Sequence, residues 1–255
     1  MALFDTHVHL AVDGLFGDLG GVLARAQAAG VTRMLAASTD LADSRKGLDI
    51  AKAHPGQVFA AVGIHPEASA DLPVDWEEQF ERLIVEGRPN AIGECGLDAF
   101  HPVPPIEDQY GVFRFQVRMA VKHRLPLILH SRRAGEQALA VVKEEGAERG
   151  VFHCIEGDEI FARGAIAAGF HLGVGGTATF PKNEVLRAML GRLPKDRLLL
   201  ETDAPWLAPQ PVRGKPNEPA WLVHTAETVA QAVGVTAAEL ADLTTASARA
   251  LFRID

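Results

Sequence analysis

Cysteine is scarce: Cys95 and Cys154 are the only two in 255 residues. So few exclude a disulfide framework and suit a reducing cytoplasm. Basic charge is lacking too. The net charge of −8 gives no overall field that would draw in nucleic acid, although an acidic enzyme can still cleave phosphodiesters where metal ions supply the local positive charge. No uncharged apolar run approaches the ~20 residues of a membrane span. The first residues show no basic segment followed by an apolar signal core. There is no Gly/Ser linker, low-complexity segment or block of like charge. These absences lead to the expectation of a single cytoplasmic domain over residues 1–255, monomeric by default and without a membrane partner.

What is present is a large core and an alternation. Hydrophobic residues make up 47% and charged residues 23%, ordinary for a globular chain. Apolar, β-rich runs recur at Leu3–Leu10, Arg33–Ser38, Val58–Ile64, Ala91–Leu97, Leu127–His130, Val151–Ile155, His171–Gly175 and Leu198–Thr202. Helical patterns lie between them at Leu19–Ala29, Ala42–Ala53 (capped by Asp40), Asp75–Glu86, Glu107–His123, Gly135–Glu145, Asp158–Ala168 and Glu184–Leu190. Pro219–Val233 and Ala237–Phe252 close the chain, the last with a capping box from Thr236 to Glu239. Such alternation predicts parallel βαβ units. Eight of them in a chain near the typical ~250 residues predict a (β/α)8 TIM barrel.

Polar residues gather at the carboxyl ends of these strands. His7 and His9, two apart, share one face of strand one. His65 follows strand three, Glu94 lies in strand four, His130 ends strand five, His153 lies in strand six, and Asp203 follows strand eight. In a parallel barrel these ends converge on one mouth, where function resides. Any one of the residues could be a satisfied strand-end group. Chance, however, would scatter them over both rims. His7, His9, His130 and His153 with Glu94 and Asp203 are too many ligands for one zinc, which needs about three plus water. They suit two divalent ions bridged by a carboxylate, and Glu94, midway in strand order, is the natural bridge. His65 lacks a partner two residues on and is placed beside the substrate. His54, His101, His123, His171 and His224 have no convergent partners. Cys95 and Cys154 each follow a candidate ligand, so strand alternation turns both away as small buried hydrophobes. They lie on strands four and six, two strand spacings apart and beyond disulfide reach.

Eight motifs, Asp5-Thr6-His7-Val8-His9-Leu10, Gly63-Ile64-His65-Pro66, Ala91-Ile92-Gly93-Glu94-Cys95-Gly96-Leu97-Asp98, Gln109-x3-Phe113-x2-Gln116, Pro126-Leu127-Ile128-Leu129-His130-Ser131-Arg132, Val151-Phe152-His153-Cys154, Leu199-Leu200-Glu201-Thr202-Asp203-Ala204-Pro205 and Asn217-Glu218-Pro219, together resemble the signatures of TatD-type metal-dependent deoxyribonucleases of the amidohydrolase-like superfamily. The likeness runs through the whole chain in order. It implies a TIM barrel and hydrolysis of nucleic acid, often exonucleolytic from the 3′ end. It also implies two divalent metal ions (Mg, Mn or Zn), one held by His7, His9, Glu94 and Asp203, the other by Glu94, His130 and His153. By the same resemblance His65 is substrate-side; the phosphate contact expected beside it falls to Arg132 or a nearby backbone donor. Glu94 and Asp203 are the candidate catalytic residues, with Asp203 taking a proton from the attacking water.

The substrate wall departs from the family pattern. Arg133 stands where the family usually has Asp, Ile155-Glu156-Gly157 replaces an aromatic followed by Ser-Gly, and Ala99-Phe100 follows Asp98 where an aromatic usually comes first. Arg133 and Glu156 are expected to pair across the mouth. DNA is the expected substrate. Hydrolysis of D-aminoacyl-tRNA or another ester on the same ligands is the alternative. A cyclic-amide hydrolase would place a carboxylated lysine where this chain has Glu94, and a non-catalytic metal-binding scaffold would be expected to have lost a ligand.

Overall fold

In the computed structural model, which describes residues 1–101 and 104–255, each helix returns the chain to a strand beside and parallel to the last. The strands are β1 Leu3–Val8, β2 Val31–Ala36, β3 Val58–Val62, β4 Ala91–Asp98, β5 Leu127–Arg132, β6 Gly150–Phe152, β7 His171–Val174 and β8 Leu198–Leu200. Their order in the sheet follows the sequence from β1 to β8, all parallel. The ring closes beyond the ladder. Val8 bridges Ala204, the Asp203 backbone N–H donates to the His7 carbonyl (2.9 Å), and that of His9 donates to the Ala204 carbonyl (2.9 Å). This is the expected (β/α)8 TIM barrel.

The helices are α1 Asp13–Phe16, α2 Leu19–Ala28, α3 Leu41–Ala53, α4 Trp76–Gly87, α5 Ile106–His123, α6 Gly135–Glu144, α7 Glu159–Ala167, α8 Glu184–Leu190, α9 Leu222–Val233 and α10 Ala237–Phe252. Asp40 caps α3 by accepting from the Asp43 backbone N–H at 2.8 Å, and the Thr236–Glu239 capping box is formed. α9 starts later than expected, because Pro219–Trp221 forms a 3-10 turn first. The short α1 was not anticipated. The expected loop His101–Pro105 lies partly outside the described residues.

Two strands end early for visible reasons. β8 stops at Leu200 because the Thr202 backbone N–H donates to the Asp5 carboxylate (2.9 Å), a side chain standing in for a ladder carbonyl. β6 stops at Phe152 because Cys154 turns into the left-handed region at φ 48°. Inside the barrel, Phe4, Leu35, Ala61, Ala91, Ile128, Val151 and Leu199 pack with Leu251, Phe252 and Ile254. That apolar plug closes one end and leaves the carboxyl end to polar chemistry.

Candidate metal centre

Glu94 occupies the middle of the carboxyl-end mouth, only 3% exposed. Its two oxygens face two different sets of imidazoles. Oε2 lies 3.3 Å from His7 Nε2 and 3.4 Å from His9 Nε2. Oε1 lies 2.7 Å from His153 Nε2 and 2.8 Å from His130 Nδ1. Asp203 completes the first set, with Oδ1 3.6 Å from His7 Nε2 and 3.4 Å from His9 Nε2. The two Nε2 atoms of His7 and His9 are 3.0 Å apart, as the two-residue spacing predicted. All six candidate ligands therefore come together.

The chain builds this closeness with small residues and irregular backbone. A side chain at Gly96, at φ 147°, would collide with the His130 carbonyl, so glycine is what lets β4 press its carboxylate into the histidines. Asp203, Cys154 and Arg133 all hold positive φ (57°, 48° and 53°), an uncommon state for residues other than glycine. Such backbone clusters at functional sites.

Burial works against charge on His9 and His153. The Asp203 carboxylate nevertheless holds His9 above its usual range, and Glu94 with Glu201 hold His153 well above it. His7 is pushed down by burial and by the neighbouring His153. Burial alone would raise Glu94, yet the surrounding imidazoles hold it well below the carboxylate range; Asp203 behaves likewise beside His9 and His7. Two ionised carboxylates among converging imidazole nitrogens form a mixed N and O donor set that fits divalent metal. His65 differs. Its Nδ1 accepts the Glu67 backbone N–H at 3.2 Å, which leaves the proton on Nε2, 3.5 Å from Glu94 Oε1. Burial drives its pKa down to about 3, so it stands at the mouth as a neutral donor.

Sequence reasoning missed the residues that hold the ligands. Asp98 Oδ2 is 2.9 Å from His130 Nε2, a carboxylate fixing the ring so that Nδ1 faces Glu94. Glu201, fully buried, accepts the Cys154 backbone N–H and lies 3.7 Å from His153 Nδ1. Asp5 binds the backbone N–H and hydroxyl of Thr202, and burial raises its carboxyl to about 7. The parity of Glu94, Gly96 and Asp98 along one strand could have identified Asp98. Further out, Gln109 and Gln116 act as surrogate strands. Gln109 Oε1 accepts from the Asp98 backbone N–H (2.7 Å) while its Nε2 donates to the Asp98 carbonyl (3.0 Å). Gln116 does the same for Ile64, at 2.8 and 2.9 Å. Between them Phe113 is buried in the core at 1% exposure.

The wall corrects two expectations. Arg133 does not pair with Glu156; its guanidinium lies over the Phe100 ring, 4.7 Å from the centroid. Cys154 is free, as is Cys95, but is no buried hydrophobe turned away. The left-handed turn leaves it partly buried on the wall of a cavity of 350 Å³ that also includes His153, Glu156 and Arg133. Arg132 lines that cavity as well. Trp206, 47% exposed, stands edge-on to His9 with the ring centroids 4.7 Å apart.

The family model for TatD-related DNases matches residues 4–253. A metal-dependent hydrolase, YabD of Bacillus subtilis, uncharacterized by its name, is 36% identical over 99% of this chain and 100% of its own length. The 3′-5′ ssDNA/RNA exonuclease TatD of Erwinia tasmaniensis is 34% identical, again over 99% of this chain and 100% of its own. Among solved structures, the TatD homologue YJJV of Escherichia coli superposes with a TM-score of 0.94 at 30% identity, covering 99% of this chain and 98% of that one. The chain belongs to the TatD-related DNase family and is a hydrolase of that family.

Proposed function

We propose that this member of the TatD-related DNase family is a 3′-5′ exonuclease on single-stranded DNA that works with two divalent ions. The observation that carries the reading is the Glu94 carboxylate, whose two oxygens face two separate imidazole groups within 2.7–3.4 Å. His7, His9, Glu94 and Asp203 would hold one ion, and Glu94, His130 and His153 the other; Mg, Mn and Zn all accept such ligands. When bound, the ion pair supplies Lewis acidity toward the water and the phosphoryl group and offsets the charge of an anionic substrate in this acidic chain.

The protein's own groups do the rest. Asp203, ionised and at the edge of the centre, accepts the proton of the attacking water. Glu94 stays anionic and fixes the two halves of the site relative to one another. Neutral His65 donates from Nε2 to a substrate oxygen without adding a charge that would compete for the carboxylates. Asp98 and Glu201 orient His130 and His153. The whole chain acts as one domain in the cytoplasm, as a monomer. Among the described residues no helix is long and apolar enough to cross a membrane.

The test is metal analysis of untagged protein together with hydrolysis of 5′-labelled single-stranded DNA. Two equivalents of divalent metal and stepwise loss from the 3′ end are expected. One equivalent would overturn the dinuclear assignment. Metal-loaded protein that leaves DNA intact but hydrolyses an aminoacyl ester would replace the nuclease by a deacylase.

A further inference from the structure

Beside His130, on the outer edge of the mouth, the Phe100 ring carries two guanidinium groups. Arg132 Cζ is 4.4 Å and Arg133 Cζ 4.7 Å from its centroid. Among the described residues neither arginine forms a salt bridge, which is true of most arginines in the chain; what sets these two apart is that they share one ring. Both side chains are exposed, so two guanidinium groups stand together on one ring with N–H groups open to an anionic ligand.

Their placement is built into the centre. The Asp98 carboxylate that holds His130 also accepts the backbone N–H groups of Phe100 (2.7 Å) and His101 (2.8 Å), fixing the turn that presents the ring. Arg132 pairs with Asp98 in the β4–β5 register, two residues beyond His130, a step of about 6.6 Å along the strand. Arg133 reaches the ring from a left-handed backbone at φ 53°. Phe100 is 41% exposed. An arene under a guanidinium restrains its plane while leaving the N–H fork free, and that fork matches phosphate bidentately.

We propose that Phe100, Arg132 and Arg133 form a clamp for the phosphate next to the one being cleaved, so that the enzyme selects single strands carrying more than one phosphodiester. The proposal rests on the nuclease reading above and adds a substrate-length requirement to it. The clamp takes the backbone rather than a base, because the ring is already engaged by guanidinium groups.

The experiment compares kcat/KM on a single-stranded decanucleotide with that on a dinucleotide, at several salt concentrations, for metal-loaded wild type, Arg133→Asn, Arg133→Lys and Phe100→Ala. Asparagine tolerates the left-handed backbone, so Arg133→Asn removes the cation without straining the turn. Removing a charge-assisted hydrogen bond to phosphate lowers the decanucleotide preference by about tenfold. The salt dependence of log kcat/KM becomes shallower by about 0.7 for each phosphate that is no longer neutralised. Arg133→Lys keeps the salt slope and loses part of the preference, and Phe100→Ala weakens both. Wild-type preference and slope in Arg133→Asn and Phe100→Ala would overturn the clamp while leaving the nuclease intact. Failure of the wild type to cleave either substrate would overturn the nuclease reading and the clamp with it.

Discussion

Along β5, β6 and β8 the step from packing to chemistry is a single strand repeat. Ile128, Val151 and Leu199 pack in the apolar plug with Phe252; two residues on, His130, His153 and Glu201 stand at the metal centre or directly behind it. Residues i and i+2 share a face, so each strand points inward twice, once into oil and once into a polar cluster. β1 and β4 differ. Phe4 and His7, like Ala91 and Glu94, are three apart, and these strands carry register shifts between Asp5 and Val8 and between Ile92 and Cys95. An irregularity of this kind re-aims a side chain next to a site. The floor is thus set by regular alternation, and the ligands that face both halves of the centre depend on breaking it.

If the two ends are independent, they should fail separately. The largest effect is expected from Glu94→Gln, which keeps volume but removes the charge both halves of the centre share. Hydrolysis should be lost and the divalent metal content should fall, while the melting temperature of metal-free protein stays near wild type. Metal analysis, an activity assay and a thermal melt on one preparation check this. Full activity in metal-cleaned buffer would break the assignment. At the other end, Phe252→Ala should cost about 3–5 kcal/mol of stability, because the ring is 1% exposed and packs 6.3 Å from Phe4. Denaturant titration measures that loss, and kcat per folded molecule should hold. A parallel fall in kcat would mean that floor and mouth form one unit.

Asp98→Asn tests the link between the ends of the hierarchy, the residue that touches a proposed ligand and also shapes the loop. Removing a carboxylate behind a ligating histidine typically costs about 10–100-fold in metal affinity or activity. Metal competition with a chelator should show the weakening at one of two sites. Weakening at neither site would mean that Asp98 serves the Phe100 turn alone.

The fold was legible because eight apolar runs alternate with helical patterns over the whole chain, and the convergence of the candidate ligands was legible because His, Glu and Asp at strand ends have few other reasons to share one rim. What lay hidden depends on backbone that sequence does not display. Nothing in Val151–Ile155 announces that Cys154 will turn left-handed, so the thiol was assigned to the wrong face. Arg133 was expected to find Glu156 from opposite charge and from matching positions on neighbouring loops, yet the Phe100 turn fixed by Asp98 offers it an arene. β8 was drawn two residues too long because the partner of the Thr202 N–H is a side chain, Asp5. Asp98 itself was within reach, since its parity with Glu94 is the same argument that joined His7 to His9.

The smallest expected effect lies far from the mouth, at the start of the helix that delivers the plug. Thr236 Oγ1 accepts the Glu239 backbone N–H at 3.2 Å, and Glu239 Oε2 accepts the Thr236 N–H at 2.8 Å. Thr236→Ala removes the first of these and should cost about 1 kcal/mol, read as a shift in denaturation midpoint with activity unchanged. The loss should depend on pH in a defined direction. The backbone N–H of Thr236, and then its hydroxyl, hold the Glu239 carboxyl below the ordinary glutamate range. A depressed folded-state pKa contributes stability that is present above the ordinary range and lost as pH falls through the folded value. Thr236→Ala keeps the backbone donor and loses the hydroxyl that donates to the Glu239 carboxylate at 2.8 Å, so the gap between wild type and Thr236→Ala should be full at neutral pH and narrow in acid only by the hydroxyl's share. A gap that stays constant into acid would show that the Thr236 hydroxyl caps α10 without help from the Glu239 charge, and that the plug end, unlike the mouth, owes nothing to ionised carboxylates.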